Sequence, residues 1–514
     1  MLRIIKKIFL GLFVLIVLSV SAGAIYWHLH PIPITDPKML LHVALGGGVN
    51  APSAAQVAQR LQVPAGFHIS IYASDLPGVR MLRFTAAGDL VVSRPRAGEI
   101  NLLLRNPKNP AQSVGRRVLL SGLSKPHGVD IHEGWLYVGE TDAIGRVRID
   151  EQGGQLQGDY QRIVTGLTGN ENHWSKTVRI GPDNYLYVAQ GSTCNVCEEK
   201  DKRRATIMRF QLDGSGGEIY ATGLRNSVGL DWAPWDQQLY ATDNGRDLLG
   251  DDFPPCELNR IVQRGFYGWP YINGFGELDP DLGNGKEDLL ATAISPAFGF
   301  RAHNAPLGIH FLRDAKRPAS NASTNWAHAA LVALHGSWNR SSPDGYKVVA
   351  LHWREDGSIE QTDFVTGFER DGNVIGRPVD IAEGPDGAIY ISDDYAGVIY
   401  RVSYGENSPT SATASVPREI QPGSTAEMIS PGERVQLYAQ GEALFNKYPC
   451  RHCHDPRFAS AMRPVRELKN LSARYSIEQL QEFFVTPTPP MPVYPLDEHE
   501  RRALAVYLLT KDQQ

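Results

Sequence analysis

IGPDNYLYVAQG (residues 180–191) and EGPDGAIYISDD (residues 383–394) carry one pattern: a Gly-Pro-Asp turn, then an alternating apolar strand. Gly, Pro, Asp and Asn punctuate tight turns, and alternation puts every second side chain on one face of a sheet. Weaker copies are TAAGDLVVSRP (85–95), DIHEGWLYVGET (130–141) and WAPWDQQLYATDN (232–244). VALHGSWNR (332–340), followed by YKVVALHW (346–353), fits as another. A further strand follows the unit in IMRFQLDG (207–214) and VIYRVSYG (398–405). Neighbouring copies lie roughly 45–55 residues apart, the period of a four-stranded propeller blade. One longer interval, from Arg260 to Leu331, reads as an insertion. Six copies predict an all-β six-bladed β-propeller over residues 61–405. A sandwich or a solenoid is disfavoured by the four-strand period.

The flanks differ from the repeats. Arg3, Lys6 and Lys7 precede an apolar run from Ile8 to Trp27, a basic start followed by a segment long enough to cross a bilayer. Ala22-Gly23-Ala24 offers a cleavage site. Residues 1–30 therefore read as a single hydrophobic helix, a cleaved signal or a retained membrane anchor, with the anchor slightly preferred, and 31–60 as a linker. Either form exports the rest of the chain, to the periplasm. Residues 406–430 contain SPTSATASVP and QPGSTAE, lack aromatic residues and read as a second linker. Residues 431–514 are short and helical in pattern. A chain of 514 residues exceeds what one core supports, and its net charge of −5, with no basic stripe, excludes nucleic acid as a partner.

The firmest chemical motif is Cys450-Arg451-His452-Cys453-His454. Cys-x-x-Cys-His attaches c-type haem: two thiols add across the vinyl groups and the following imidazole, His454, meets the iron. A zinc site would need more Cys or His nearby. A redox dithiol would need a βαβ context. GERVQLYAQGEALFNKY (432–448) is a helical run leading into the motif. Met491, in the extended TPTPPMPVYP segment, is the expected second iron ligand, and DEHERRALAVYLL (497–509) a closing helix. Met462 lies too near His454 to reach the opposite haem face. This order resembles the small class I cytochromes c over about Pro431 to Lys511, and implies a small all-α cytochrome c domain at 431–514.

A haem beside a propeller suggests a redox reaction in the propeller. His173 in NENHWSKTVRIGPDNYLYV, Arg225-Asn226 in TGLRNSVGLDW, and FYGWP (266–270) resemble the pyrroloquinoline quinone (PQQ)-dependent soluble aldose and sorbosone dehydrogenases, over roughly Leu61 to Tyr404. The chemistry agrees with the residues. Oxidising an alcohol or hemiacetal removes a hydroxyl proton and a hydride; His suits the proton, and a cation suits the charge that develops on the acceptor. His173 and Arg225 each sit just before the first strand of successive repeats, where propeller symmetry lets them converge. The resemblance implies that His173 is the base, that Arg225 contacts the reduced quinone and substrate, and that Asn226 helps hold the cofactor. It places Arg340 and Arg377 on the quinone's carboxylates, an assignment suited to Arg's planar fork, although the family often has Lys at the first position.

The resemblance also implies calcium, a Lewis acid toward the quinone. Segment 242–261 offers Asp243, Asp247, Asp251, Asp252 and Glu257. The family's bridging carbonyls fall on Gly245 and Arg246, with Glu257 serving a second, structural ion. GSTCNVCEE (191–199) departs from the glucose enzymes and looks closer to the sorbosone or pyranose dehydrogenase branch. A disulfide among Cys194, Cys197 and Cys256 is the simplest account, with its pairing open. No His follows Cys197, so this is not a second haem motif. The sequence expectation is thus a quinohaemoprotein dehydrogenase that oxidises a sugar or sugar-derived aldehyde or alcohol and passes electrons through haem c to a downstream cytochrome or membrane acceptor. The competing reading is a non-redox, calcium-dependent propeller, lactonase-like or a binding module, tethered to a carrier cytochrome.

Overall fold

In the computed structural model, each turn-and-strand repeat closes into a four-stranded antiparallel sheet, and six such sheets form the blades of a β-propeller. The model describes residues 47–169, 172–313, 326–405, 431–448, 477–485 and 496–511, with single positions between the last three. The apolar N-terminal run, the linker at 406–430 and Cys453 lie outside the described residues. The chain divides into two compact units, residues 1–414 and 415–514.

The innermost strands of the six blades are Leu82–Phe84, Val129–His132, Lys176–Ile180, Ser227–Trp232, Pro306–Phe311 and Pro378–Glu383. Each touches the next, and the last touches the first, which closes the ring. Later strands of each repeat step outward. The sixth blade borrows its outer strand from the other end of the propeller: Phe67–Ala73 pairs antiparallel with Val398–Tyr404. The insertion read between Arg260 and Leu331 has a narrower location. Blade four leaves its third strand at Ile261 and returns for its fourth at Phe298–Phe300. On the way, Gly265–Phe266 adds to the outer edge of blade three and a short hairpin forms over Ile272–Asn273 and Glu277–Leu278.

Crowding at the axis dictates small residues. A Cβ on Gly128 would lie 2.4 Å from the Val178 nitrogen, and one on Gly229 would lie 2.2 Å from the Leu307 oxygen. Below this constriction the inner strands present Arg83, Asp130, Arg179, Asp231, His310 and Asp380 in blade order. Cation and anion alternate from Arg83 to Asp231, while burial lowers the His310 imidazole and favours its neutral form. Arg83 meets Asp130 at 3.2 Å and Asp380 at 3.3 Å, and Arg179 meets Asp130 at 3.4 Å and Asp231 at 3.2 Å. Asp231 is fully buried; burial opposes its charge, but Arg179, Arg313 and His310 outweigh that and hold it well below the usual carboxylate range.

Helix α1 (Ala54–Arg60), opened by a Ser53–Gln56 capping box, leads into the propeller. The second unit contains α2 (Pro431–Lys447), α3 (Ile477–Val485) and α4 (Glu498–Lys511). Their apolar faces bury Leu437, Leu444, Phe445, Leu480, Phe484 and Ala503–Leu508 together. Helices α2 and α4 meet at Gly441, where an added Cβ would lie 2.2 Å from the Ala503 oxygen.

Candidate active site at the channel mouth

The residues just before the inner strands gather at one end of the channel, and in every blade one of them is basic: Arg80, His127, His173, Arg225, His303 and Arg377. Lys176 and Arg204 are buried among them. The rim is nearly continuous. Arg80 pairs with Asp394 at 2.6 Å, His335 lies 3.6 Å from Asp394, and the Arg377 Nε donates to the His335 oxygen at 3.1 Å. On the other side, the Lys176 Nζ donates to the Thr168 and Trp174 oxygens, and the His127 ring stands edge-on to Trp174. Burial, then Arg204, brings the Lys176 ammonium down to about 7.

His173 adopts a left-handed backbone, φ +50°, a conformation sparsely populated outside glycine and worth attention near a site. Its Nδ1 lies 3.0 Å from the Ser192 carbonyl oxygen and 2.9 Å from the Ser192 hydroxyl. A carbonyl can only accept, so Nδ1 carries the hydrogen and Nε2 keeps its lone pair. Burial, then the Arg225 charge, pushes the imidazole down to about 3, so the ring is neutral at ordinary pH. The Asn226 side chain comes close to His173: a Cβ on Gly191 would lie 2.6 Å from both the Asn226 Oδ1 and the His173 Cβ. Asn226 anchors by its backbone, whose N–H donates to Asp243 at 2.6 Å, while its side-chain amide makes no hydrogen bond among the described residues.

Arg225 is almost fully buried and all five of its N–H bonds are engaged inside the protein. Nε donates to the Asn195 oxygen at 3.0 Å. Nη1 donates to the Asn244 oxygen at 3.0 Å and the Gly245 oxygen at 2.9 Å, and Nη2 to the Asn195 Oδ1 at 2.9 Å and Asp247 at 3.0 Å. It ties the 191–199 loop to the 243–248 loop. Arg340 is turned toward the backbone of Asp251 and Ala302 and toward Asp252. Arg377 bonds the His335 and Gly336 oxygens through Nε and Nη2, and its Nη1 makes no hydrogen bond among the described residues.

The acidic segment is less of a loop than its sequence suggests. Asp243 ends one strand and Glu257 is the second residue of the next, directly opposite it. Gly245, Arg246 and Glu257, expected at two ion sites, line one cavity together with Asp243, Asn273 and Gly274. It leaves about 20 Å³ for the centre of a water-sized body, room for a single ion or water. Burial pushes Asp243 up to about 7 and Glu257 up to about 8. Two buried carboxylates facing one oxygen-lined cavity form a donor set suited to a hard cation. Asp247 instead pairs with Arg225, and lies 3.5 Å from His303.

The open cysteine question is settled by a Cys194–Cys197 disulfide, which leaves Cys256 as a buried thiol.

The sequence of the propeller matches the TrAA12-like family model over residues 61–254 and 286–405. The chain belongs to the TrAA12-like family. The gap between the matched stretches, residues 255–285, covers the third strand of blade four and most of the insertion that follows it. An uncharacterized protein of Borreliella burgdorferi is 31% identical over 375 residues, covering 68% of this chain and 93% of that one. The pyrroloquinoline quinone-dependent pyranose dehydrogenase of Coprinopsis cinerea is 25% identical over 427 residues, covering 68% of this chain. The alignment spans 56% of that enzyme's length. A solved Trichoderma reesei structure of carbohydrate-active enzyme family AA12 superposes with TM-score 0.59 at 20% identity, over 67% of this chain and 98% of that one. The TrAA12-like propeller thus has the fold read from the repeats.

In the helical unit, Cys450 and Met491 belong to one apolar cluster. Cys450 is buried in the cluster of α2, α3 and α4, and Met491 packs against it with Tyr448 and Tyr494. The His454 N–H donates to the Cys450 oxygen at 3.1 Å, one helical turn.

The sequence reading missed Arg80, His127, Lys176, Ser192, Asn195, Arg204, His303 and His335. Several share one signal, a basic residue one to three positions before an inner strand, which becomes visible only once the six blades are aligned.

Proposed function

We propose that this protein is a PQQ-dependent dehydrogenase for a sugar or a sugar-derived aldehyde or alcohol, exported to the periplasm, that drains electrons through haem c to a downstream cytochrome or membrane acceptor. The observation that carries the reading is His173, neutral, with Nδ1 fixed on the Ser192 carbonyl and Nε2 left as an acceptor. The name of the Coprinopsis relative supports it at the level of cofactor and substrate class.

The residues fit the groups this reading needs. A basic rim with an open Arg377 Nη1 suits a polycarboxylate quinone. The Asp243–Glu257 cavity, with the Gly245 and Arg246 backbone, suits calcium. Cys450, Cys453, His454 and Met491 suit haem c, with Met raising its potential. When bound, PQQ supplies a two-electron acceptor, calcium a Lewis acid and haem a one-electron carrier. The chain's own part is proton handling and orientation. His173 Nε2 accepts the substrate hydroxyl proton, as a neutral imidazole can at any pH above its depressed pKa. Asn226 orients cofactor and substrate. Arg225 keeps the two loops in register and sets a positive field beside the acceptor.

Loading the full chain with PQQ and calcium, then adding aldoses or sugar aldehydes, should reduce the haem absorption bands. If none of them reduces the haem, the proposal fails. His173→Ala should lower kcat by about 10²–10⁴-fold with an unchanged melting temperature. Full turnover in that variant would remove His173 from the base role.

A further inference from the structure

The Cys194–Cys197 disulfide closes the segment that carries Asn195 and follows Ser192, the residues that hold Arg225 and His173. Ser192, two positions before Cys194, holds the His173 Nδ1, and its hydroxyl donates to the Cys194 oxygen at 2.7 Å. Asn195, inside the disulfide ring, takes two of the five Arg225 N–H bonds and accepts from the Asp247 N–H at 2.8 Å. Its amide donates back to the Asp247 oxygen at 3.0 Å. The loop has further anchors: the Ser192 N–H donates to the Arg225 oxygen at 2.7 Å, Arg204 donates to the Ser192 oxygen at 2.9 Å, the Thr193 N–H to Glu199 at 2.6 Å, and the Tyr271 hydroxyl to Glu198 at 2.8 Å. Base and guanidinium therefore share one short segment, and the covalent cross-link in that segment is between two sulfurs.

A global stabiliser is a poor description of this bond. A sequence separation of 3 closes a very small ring, and loop closure stabilises least when the ring is small. Both cysteines are half-buried, within reach of small solutes. Accessible disulfides are the labile ones, and adjacent thiols re-form the bond readily. The buried Cys256 thiol is not a competing partner at that surface.

We propose that the Cys194–Cys197 disulfide is a thiol–disulfide exchange site that clamps the catalytic loop, so that oxidation of this pair sets Ser192 on His173 and Asn195 on Arg225, and reduction releases both. The inference rests on the proposed role of His173. A dithiol reductant attacks one sulfur, the mixed disulfide is displaced by the reductant's second thiol, and the loop gains two hydrogens as two thiols while the reductant becomes a cyclic disulfide. Ser192 and Asn195 act as positioning residues, through His173 and Arg225.

The test uses the full chain loaded with haem, PQQ and calcium. It is reduced with dithiothreitol, freed of reductant by desalting without oxygen, and compared with the oxidised form. Alkylation of the folded protein should label Cys194 and Cys197 and spare Cys256. Hydrogen exchange should rise in peptides carrying Ser192, Thr193 and Asp247 and stay constant elsewhere. Turnover with a soluble dye should fall about 10-fold or more in kcat, with KM changed less than about threefold, because misplacing a catalytic group by an ångström costs about this much or more. Reoxidation should restore it, and a Cys194→Ser/Cys197→Ser variant should behave as the reduced form whatever the treatment. A lower melting temperature with unchanged kcat and unchanged local exchange would reduce the bond to a staple and overturn the proposal. If neither form oxidises any sugar while the exchange difference persists, the dehydrogenase reading falls and the clamp stands.

Discussion

At the scale of single residues, the site turns on how His173 is held. The unfolded chain presents it as an ordinary histidine, near pH 6.5. In the fold, burial and the Arg225 charge push it down to about 3. As pH drops below 6.5 the unfolded state takes up a proton that the folded state refuses, so this residue costs stability toward acid. For the proposed base role the sign is opposite: the imidazole stays neutral far into the acid range. The kcat/KM profile should therefore stay flat from pH 8 to about pH 5, with no loss near 6.5 from this group. A half-loss centred near 6.5 would show an unperturbed base. Sequence reasoning could choose His173, because a base is needed at a strand start. It could not supply the tautomer, which depends on the Ser192 carbonyl 19 residues on. Nor could it foresee that Arg225 directs all its donors inward, since those partners come from two separate loops.

At the scale of elements, repeat chemistry made the blades legible. Gly-Pro-Asp turns and alternating strands specify hairpins locally, and their period specifies blades. What the pattern hid was pairing between distant segments. Phe67–Ala73 pairs with Val398–Tyr404 across the whole propeller, and no local signal marks that partnership. The acidic segment misled in a similar way, because Asp243 and Glu257 belong to strands and face each other across a hairpin. In the helical unit the decisive contact is Gly441 against Ala503, where backbone meets backbone. Gly441→Val has no room there. It should separate α2 from α4, lower the unfolding midpoint of that unit by circular dichroism and lower haem incorporation, leaving dye-linked sugar oxidation unchanged. Wild-type unfolding in the variant would mean the two helices tolerate a wider crossing.

At the scale of the whole molecule, the channel is closed by charge. Arg83, Asp130, Arg179 and Asp231 pair in turn, Arg83 also meets Asp380, and His310 bridges Asp231 and Glu383, so polar contacts join every blade to its neighbours. Removing one member leaves buried charges unpaired, which costs about 3–5 kcal/mol. Asp231→Ala removes the nearer of the two carboxylates on buried Arg179 and should lower the unfolding free energy of the propeller by about 3–5 kcal/mol, whereas Asp252→Ala, which removes a solvent-exposed carboxylate, should cost under about 1 kcal/mol. The same single-chain logic governs electron flow. If propeller and haem motif serve one reaction, sugar-driven haem reduction is intramolecular, and its rate constant should not change when the protein is diluted tenfold. Cys450→Ala should lose the covalent haem and the coloured signal but keep sugar oxidation with a soluble dye. A reduction rate proportional to protein concentration would mean that electrons pass between molecules, and that the fusion keeps two partners together without wiring them.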